Sequence, residues 1–100
     1  MNIPKTVKVG GYIYEVQRPN DSFVSGCSAC DGLHTLHTHT IQVAKRGDEA
    51  YQNTVLLHEL IHAIIACYCD SENFDREEYF TDNLAKGLYQ VIIDNPEIFK

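Results

Sequence analysis

The sequence predicts an α+β domain in which a small antiparallel sheet of about three strands packs against two helices. Two observations carry this prediction. Segments with strand-like alternation lie within the first 45 residues, and two long segments with helical character follow them. Strands followed by helices, without repeated alternation of the two, favour helices packed on an antiparallel sheet. At 100 residues the chain has the length of one domain, so we expect residues 1–100 to form a single unit.

Residue patterns in the first half predict a hairpin, a loop and a strand. Residues 6–17, TVKVGGYIYEVQ, alternate on both sides of Gly10 and Gly11, which predicts a hairpin. Residues 18–32 are rich in Pro, Asn, Asp, Ser and Gly, which predicts a loop. Residues 33–45 are expected to form one strand, with His37, His39, Ile41 and Val43 on one face.

Two helices are predicted in the second half. Asp48 is a plausible N-cap, and no Gly or Pro interrupts the sequence from Glu49 to about Cys67. The second helix is expected to be capped by Asp75, to cover residues 76–94 and to stop at Asn95 and Pro96.

Charge and composition narrow the functional classes. The net charge is −6, and the eight Lys and Arg residues are mostly scattered singly, so we expect no nucleic-acid partner. No apolar run has the length of a signal peptide or a membrane span, so we expect a cytoplasmic protein without a membrane partner. In that compartment the four cysteines are expected to be reduced.

The sequence HELIH at residues 58–62 is the main indication of chemistry. A spacing of four in a helix puts His58 and His62 on one face, where two imidazoles reach one metal ion. Glu59 lies beside that face and can take a proton from a zinc-bound water. Between Val55 and Ala66 only these three residues are polar, and burying them without compensation is costly. The pattern therefore predicts Zn²⁺ ligands at His58 and His62 and a catalytic Glu59.

A catalytic zinc usually has a third protein ligand and an open position for water. If the two helices form an antiparallel hairpin, residues 78–82 lie level with the histidines. We expect Glu78 to be the third ligand, with Asp82 either an alternative ligand or an acceptor for an imidazole N–H. Glu78 could instead close a capping box begun by Asp75.

The chain resembles the small HExxH proteins of phages and prophages, distant relatives of the ImmA/IrrE metallopeptidases that process phage repressors. The resemblance rests on IPKTVKVGGYIYEV, TVLLHELIHAI and EEYFTDNLAKGLYQVIIDNP. It implies a minimal zincin-like, gluzincin-like zinc peptidase fold acting inside a bacterial host. We also expect an exposed sheet edge beside the HExxH helix to pair with an extended segment, which makes the substrate a protein or peptide. In that family an acidic residue precedes the LAxGLYQ-like stretch, and Glu78 occupies the matching place.

Other residues leave alternatives open. Four cysteines could form a structural zinc site if the loop docks on the first helix. Three histidines could hold a surface metal, and three tyrosines could stabilise an oxyanion or lie in the core. The sets are Cys27, Cys30, Cys67 and Cys69; His34, His37 and His39; and Tyr68, Tyr79 and Tyr89. The alternative to a peptidase is a non-catalytic module that keeps the zincin fold and binds a host or phage protein.

Overall fold

The computed structural model describes residues 1–25, 28–69 and 76–99. Within them the predicted α+β class is confirmed, with a four-stranded sheet, a separate two-stranded sheet and two α-helices. The strands are β1 (Thr6–Val9), β2 (Tyr12–Gln17), β3 (Phe23–Ser25), β4 (Ser28–Cys30), β5 (Gly32–Thr35) and β6 (Thr40–Val43). The helices are α1 (Glu49–Tyr68) and α2 (Glu77–Asp94), followed by a 3-10 turn at Pro96–Phe99.

The predicted hairpin is present. Strands β1 and β2 pair antiparallel, with Thr6 opposite Glu15 and Val9 opposite Tyr12. Gly10 at the turn has a φ of 59°, a left-handed conformation that glycine adopts without a steric penalty.

The predicted loop and the predicted single strand were wrong. Within residues 18–32, β3 and β4 form a small antiparallel pair, and β5 begins at Gly32. Residues 33–45 are split between β5 and β6 by a turn that includes His39, whose φ is 52°. His37 and His39 therefore lie in this turn and not on a strand face. These strands are only three or four residues long, too short for composition alone to indicate them.

The sheet is mixed, which corrects the expected antiparallel sheet. Its order is β1-β2-β6-β5, and β2 pairs with β6 in parallel, with Val16 opposite Ile41. The chain leaves β2, forms the small β3–β4 pair and then β5, and returns through β6 in the direction of β2. This path makes β5 an edge strand of the sheet.

Helix α1 packs on the sheet across β1, β5 and β6. Its N-cap is Asp48, as predicted, and the Asp48 carboxylate accepts a hydrogen bond of 2.8 Å from the backbone N–H of Tyr51. The core beneath the helix is one apolar cluster that includes a fully buried tyrosine. Its buried members are Val9, Tyr14, Ile41, Val43, Leu56 and Ala63.

Helix α2 packs mainly against α1, whereas both helices were expected to pack on the sheet. Its N-cap is Arg76, and Asp75, the predicted cap, lies outside the described residues. The helix ends at Asp94 with Asn95 as C-cap, close to the predicted stop. Within the described ranges, no helix combines the length and the apolar character needed to cross a bilayer.

Candidate functional site

The HELIH residues lie in the middle of α1, where helix geometry aligns the two histidines. His58 and His62 are four residues apart, and their Nε2 atoms are 3.2 Å from each other. Each side chain is about one-sixth exposed, so both rings are held by surrounding protein and still reach the surface. The predicted alignment of the two histidines on one face of the helix is therefore present.

Glu78 on α2 faces both histidines. Its Oε1 lies 2.7 Å from Nε2 of His58, and its Oε2 lies 2.9 Å from Nε2 of His62. The structure thus brings together the three predicted ligands, and the two helices run antiparallel beside each other as expected. The capping interpretation of Glu78 is not supported, because its carboxylate contacts the imidazoles and the Arg76 cap has no side-chain hydrogen bond.

The outer nitrogens of the two rings have different acidic neighbours. Nδ1 of His62 donates to Oε2 of Glu77 across 2.6 Å. Nδ1 of His58 lies 3.7 Å from Oδ1 of Asp82. Asp82 is also 2.9 Å from the Lys86 ammonium, and this hydrogen bond is the main cause that lowers the pKa of Asp82. Asp82 thus has the place of the outer acceptor and not of a ligand, while the role of Glu77 was not predicted.

The spacing of these atoms is compatible with a bound metal ion. With Nδ1 of His62 carrying its proton toward Glu77, Nε2 of that ring has a free lone pair, and it faces a carboxylate oxygen of Glu78. Two electron-pair donors this close need a proton or a metal ion between them. Zinc–nitrogen bonds of about 2.0–2.1 Å in a tetrahedral site imply donor separations of about 3.3 Å. The observed separations of 2.7 to 3.2 Å require only a small widening.

Glu59 is the buried carboxylate of the site. It is 6% exposed, and burial raises its pKa to about 7, an effect opposed by the nearby His62 and reinforced by the negative charge of Glu78. The backbone N–H of His34 on β5 donates a hydrogen bond to it. A carboxylate with a pKa near neutrality can both accept and return a proton at physiological pH.

Gly32 on β5 makes room for Glu59. A Cβ at this position would lie 2.7 Å from Oε2 of Glu59 and 2.6 Å from Cγ1 of Val55. Only glycine therefore lets the edge strand pass this close to the helix. Sequence reasoning did not identify Gly32, because its importance depends on the position of a strand that had not been predicted.

An open cleft lies between the edge strand β5 and the two helices. It consists of two hollows of about 370 Å³ and 310 Å³ that share His58, Glu59, Glu78, Gly32 and Cys30. The larger hollow extends toward His62 and Ala66, and the smaller toward Tyr51 and Lys86, so the cleft runs along α1 on both sides of the candidate site.

The remaining candidate groups do not assemble with one another. In the part of the chain that the structure describes, His58, His62 and Glu78 form the one cluster of three metal-ligand side chains. Cys30, Cys67 and Cys69 therefore form no such cluster, and the histidines within residues 34–39 form none either. Cys27 lies outside the described residues. The tyrosines at 68 and 79 are exposed, which corrects their expected place in the core. Those two and Tyr89 line neither hollow, whereas Tyr51 lines the smaller one.

Comparison with known proteins gave no match, whether the chain was compared with family models, with curated protein sequences or with solved structures. The functional argument therefore rests on the geometry of the site.

Proposed function

We propose that this protein is a zinc-dependent peptidase. The observation that carries the proposal is the convergence of His58, His62 and Glu78 beside a buried Glu59 in an open cleft. Two imidazoles and a carboxylate are a donor set typical of catalytic zinc, in which a fourth position is left for water. Hydrolysis also needs a group that transfers protons, and the buried carboxylate beside that set can serve as this group.

Glu59 performs the proton transfers in this proposal. A zinc ion held by the three side chains supplies an acidified water and a positive charge near the carbonyl oxygen of the substrate. Glu59 takes one proton from the attacking water as its oxygen bonds to the carbonyl carbon. It then gives that proton to the leaving amine as the C–N bond breaks, which returns the carboxylate to its starting state.

An extended protein segment is the substrate that the cleft fits best. In the antiparallel β5–β6 pair, the carbonyl oxygen of Asp31 accepts from the N–H of Ala44. Backbone groups alternate along such a ladder, so those of Gly32 and His34 point away from β6. The N–H of His34 already donates to Glu59, so the backbone groups of Gly32 and the carbonyl of His34 are the ones offered at the free edge. An extended segment can pair with this edge as an additional strand and cross the cleft above Glu59.

The resemblance of the sequence to phage and prophage HExxH proteins suggests the biological setting. In that setting the substrate is a host or phage protein in the bacterial cytoplasm.

Hydrolysis of an unstructured protein tests this function. Zinc-loaded protein incubated with fluorescently labelled casein should release short peptides, and the new ends should be visible by mass spectrometry. Glu59→Gln keeps the shape of the side chain and the three ligands but cannot take up the proton, so it should bind zinc and release no peptides. Zinc binding without hydrolysis by the wild-type protein would contradict the peptidase and favour the non-catalytic binding module.

A further inference from the structure

His34 is a histidine of the cleft that the proposed hydrolysis does not yet use. In the β5–β6 register it lies opposite Ile41, and directly opposed residues project from the same face of a sheet. Ile41 is fully buried in the cluster beneath α1. His34 therefore projects from the face that α1 covers, and it lines the larger hollow of the cleft together with His62 and Glu77.

A buried tyrosine holds one nitrogen of the His34 ring. The hydroxyl of Tyr14, a fully buried residue of β2, lies 2.9 Å from Nε2 of His34, and the two ring centroids are 5.3 Å apart. Since Tyr14 and His34 are on strands separated by β6, this bond spans the sheet beneath the helix. It fixes the position of the His34 ring against the core.

The direction of this hydrogen bond follows from the neighbouring groups. The thiol of Cys67 donates toward the carbonyl oxygen of Val9 and is also a hydrogen-bond partner of the tyrosine hydroxyl. A sulfur atom is a weak acceptor, whereas a neutral imidazole nitrogen is a good one, so the tyrosine hydroxyl donates to Nε2. Burial lowers the pKa of His34, which favours the neutral ring. A neutral ring that accepts at Nε2 carries its proton on Nδ1.

We propose that His34 contacts the substrate of this site: its Nδ1–H donates a hydrogen bond to the carbonyl oxygen of the peptide bond being broken, and Tyr14 positions the ring. The inference rests on the proposed peptidase function. A donor aimed at an oxygen that becomes more negative in the transition state favours that state over the bound substrate. His34 is then a catalytic residue in the cleft, and Tyr14 is a positioning residue that acts through it.

Three variants separate this role from simple packing. His34→Ala removes the donor, His34→Gln offers an amide N–H in its place, and Tyr14→Phe removes only the hydroxyl. The control is His37→Ala, which changes an exposed histidine in the turn after β5. Each zinc-loaded protein is assayed with fluorescently labelled casein, and its zinc content is measured.

The expected result is a fall in kcat of about 100-fold for His34→Ala, with KM and zinc content close to wild type. His34→Gln should recover part of the loss, Tyr14→Phe should lie between, and the control should match the wild type. If wild-type protein cleaves casein and His34→Ala has an unchanged kcat, this inference is overturned and the peptidase stands. If the wild type does not cleave, the proposed function fails and the role of His34 falls with it.

Nitrogen-15 NMR of the zinc-loaded protein tests the positioning step without any turnover. The side-chain nitrogen shifts of His34 should show a neutral ring with its proton on Nδ1, and Tyr14→Phe should weaken that preference. A proton on Nε2 in the wild type would overturn the assignment whether or not the protein cleaves casein.

Discussion

Glu78 on α2 places one carboxylate oxygen 2.7 Å from Nε2 of His58 and the other 2.9 Å from Nε2 of His62 on α1. This contact joins the two helices at the candidate zinc site. Because the Glu78 side chain is 73% exposed, it can be replaced with little effect on the core. The effect of replacing Glu78 on zinc binding can therefore be measured apart from any effect on folding.

Replacing the predicted third ligand should impair metal binding far more than replacing its neighbour. Glu78→Gln removes the charged oxygens that face both Nε2 atoms, so we expect the zinc affinity to fall by more than about 100-fold. Asp82→Asn is the matched control, because Asp82 lies beside the outer nitrogen of His58. This substitution should lower the zinc affinity by about 10-fold or less. Titration against a chromogenic zinc chelator measures both. A larger loss for Asp82→Asn would exchange the roles of the two residues.

Glu77 should support the site through the second nitrogen of His62. Its carboxylate accepts the Nδ1–H at 2.6 Å and so favours the tautomer with a free Nε2. Glu77→Ala should therefore weaken zinc binding by about 10- to 100-fold while leaving one metal per chain. Glu49→Ala changes an acidic residue in the first turn of the other helix and is the control. Equal affinities for these two variants would show that the hydrogen bond to His62 has no such effect.

Gly32 should tolerate no side chain. Gly32→Ala places a methyl group against Val55 and Glu59, so the strand must move away from α1. We expect a loss of about 1–3 kcal/mol in the free energy of unfolding. Gly87→Ala in α2 is the control, since its added methyl group meets no atom within 4 Å, and alanine should stabilise the helix by about 0.5–1 kcal/mol. Urea denaturation measures both, and a neutral Gly32→Ala would contradict the close packing of β5 on the helix.

The buried carboxylate should make the metal-free protein less stable as the pH rises. The pKa of Glu59 is raised from 4.5 to about 7, so between these values the folded chain holds a proton that the unfolded chain has released. Stability therefore falls across this window, by up to about 3 kcal/mol.

Glu59→Gln isolates this effect, because it cannot ionise and the other titrating groups are shared with the wild type. The difference in unfolding free energy between the two proteins, measured from pH 4 to pH 8, should shift in favour of Glu59→Gln as the pH rises. A constant difference over that range would show that Glu59 is not desolvated.

The features that could be predicted from the sequence are those set by local interactions. Asp48 caps α1, and the first helix follows from an uninterrupted run of residues, so its limits were predicted well. The hairpin around Gly10 was also predicted, because it too depends on residues that are close together in the sequence. The placement of Glu78 near His58 followed from helix phase once the two helices were taken to be antiparallel.

The features that could not be predicted depend on non-local pairing. The parallel alignment of β2 with β6 joins segments that are separated by more than 20 residues, and β5 contains few strand-favouring residues. Without β5, the sequence gives no reason to single out Gly32 or to bring His34 to the buried Tyr14. The sequence-based prediction therefore lacked the β5 side of the cleft, although it included the pair of histidines on α1.

The position of the metal tests the central claim most directly. Crystals of the zinc-loaded protein, measured on both sides of the zinc absorption edge, should give one anomalous peak per chain. The peak should lie about 2.0–2.2 Å from Nε2 of His58, Nε2 of His62 and a carboxylate oxygen of Glu78. A peak among the cysteines, with none between these two histidines, would contradict the account.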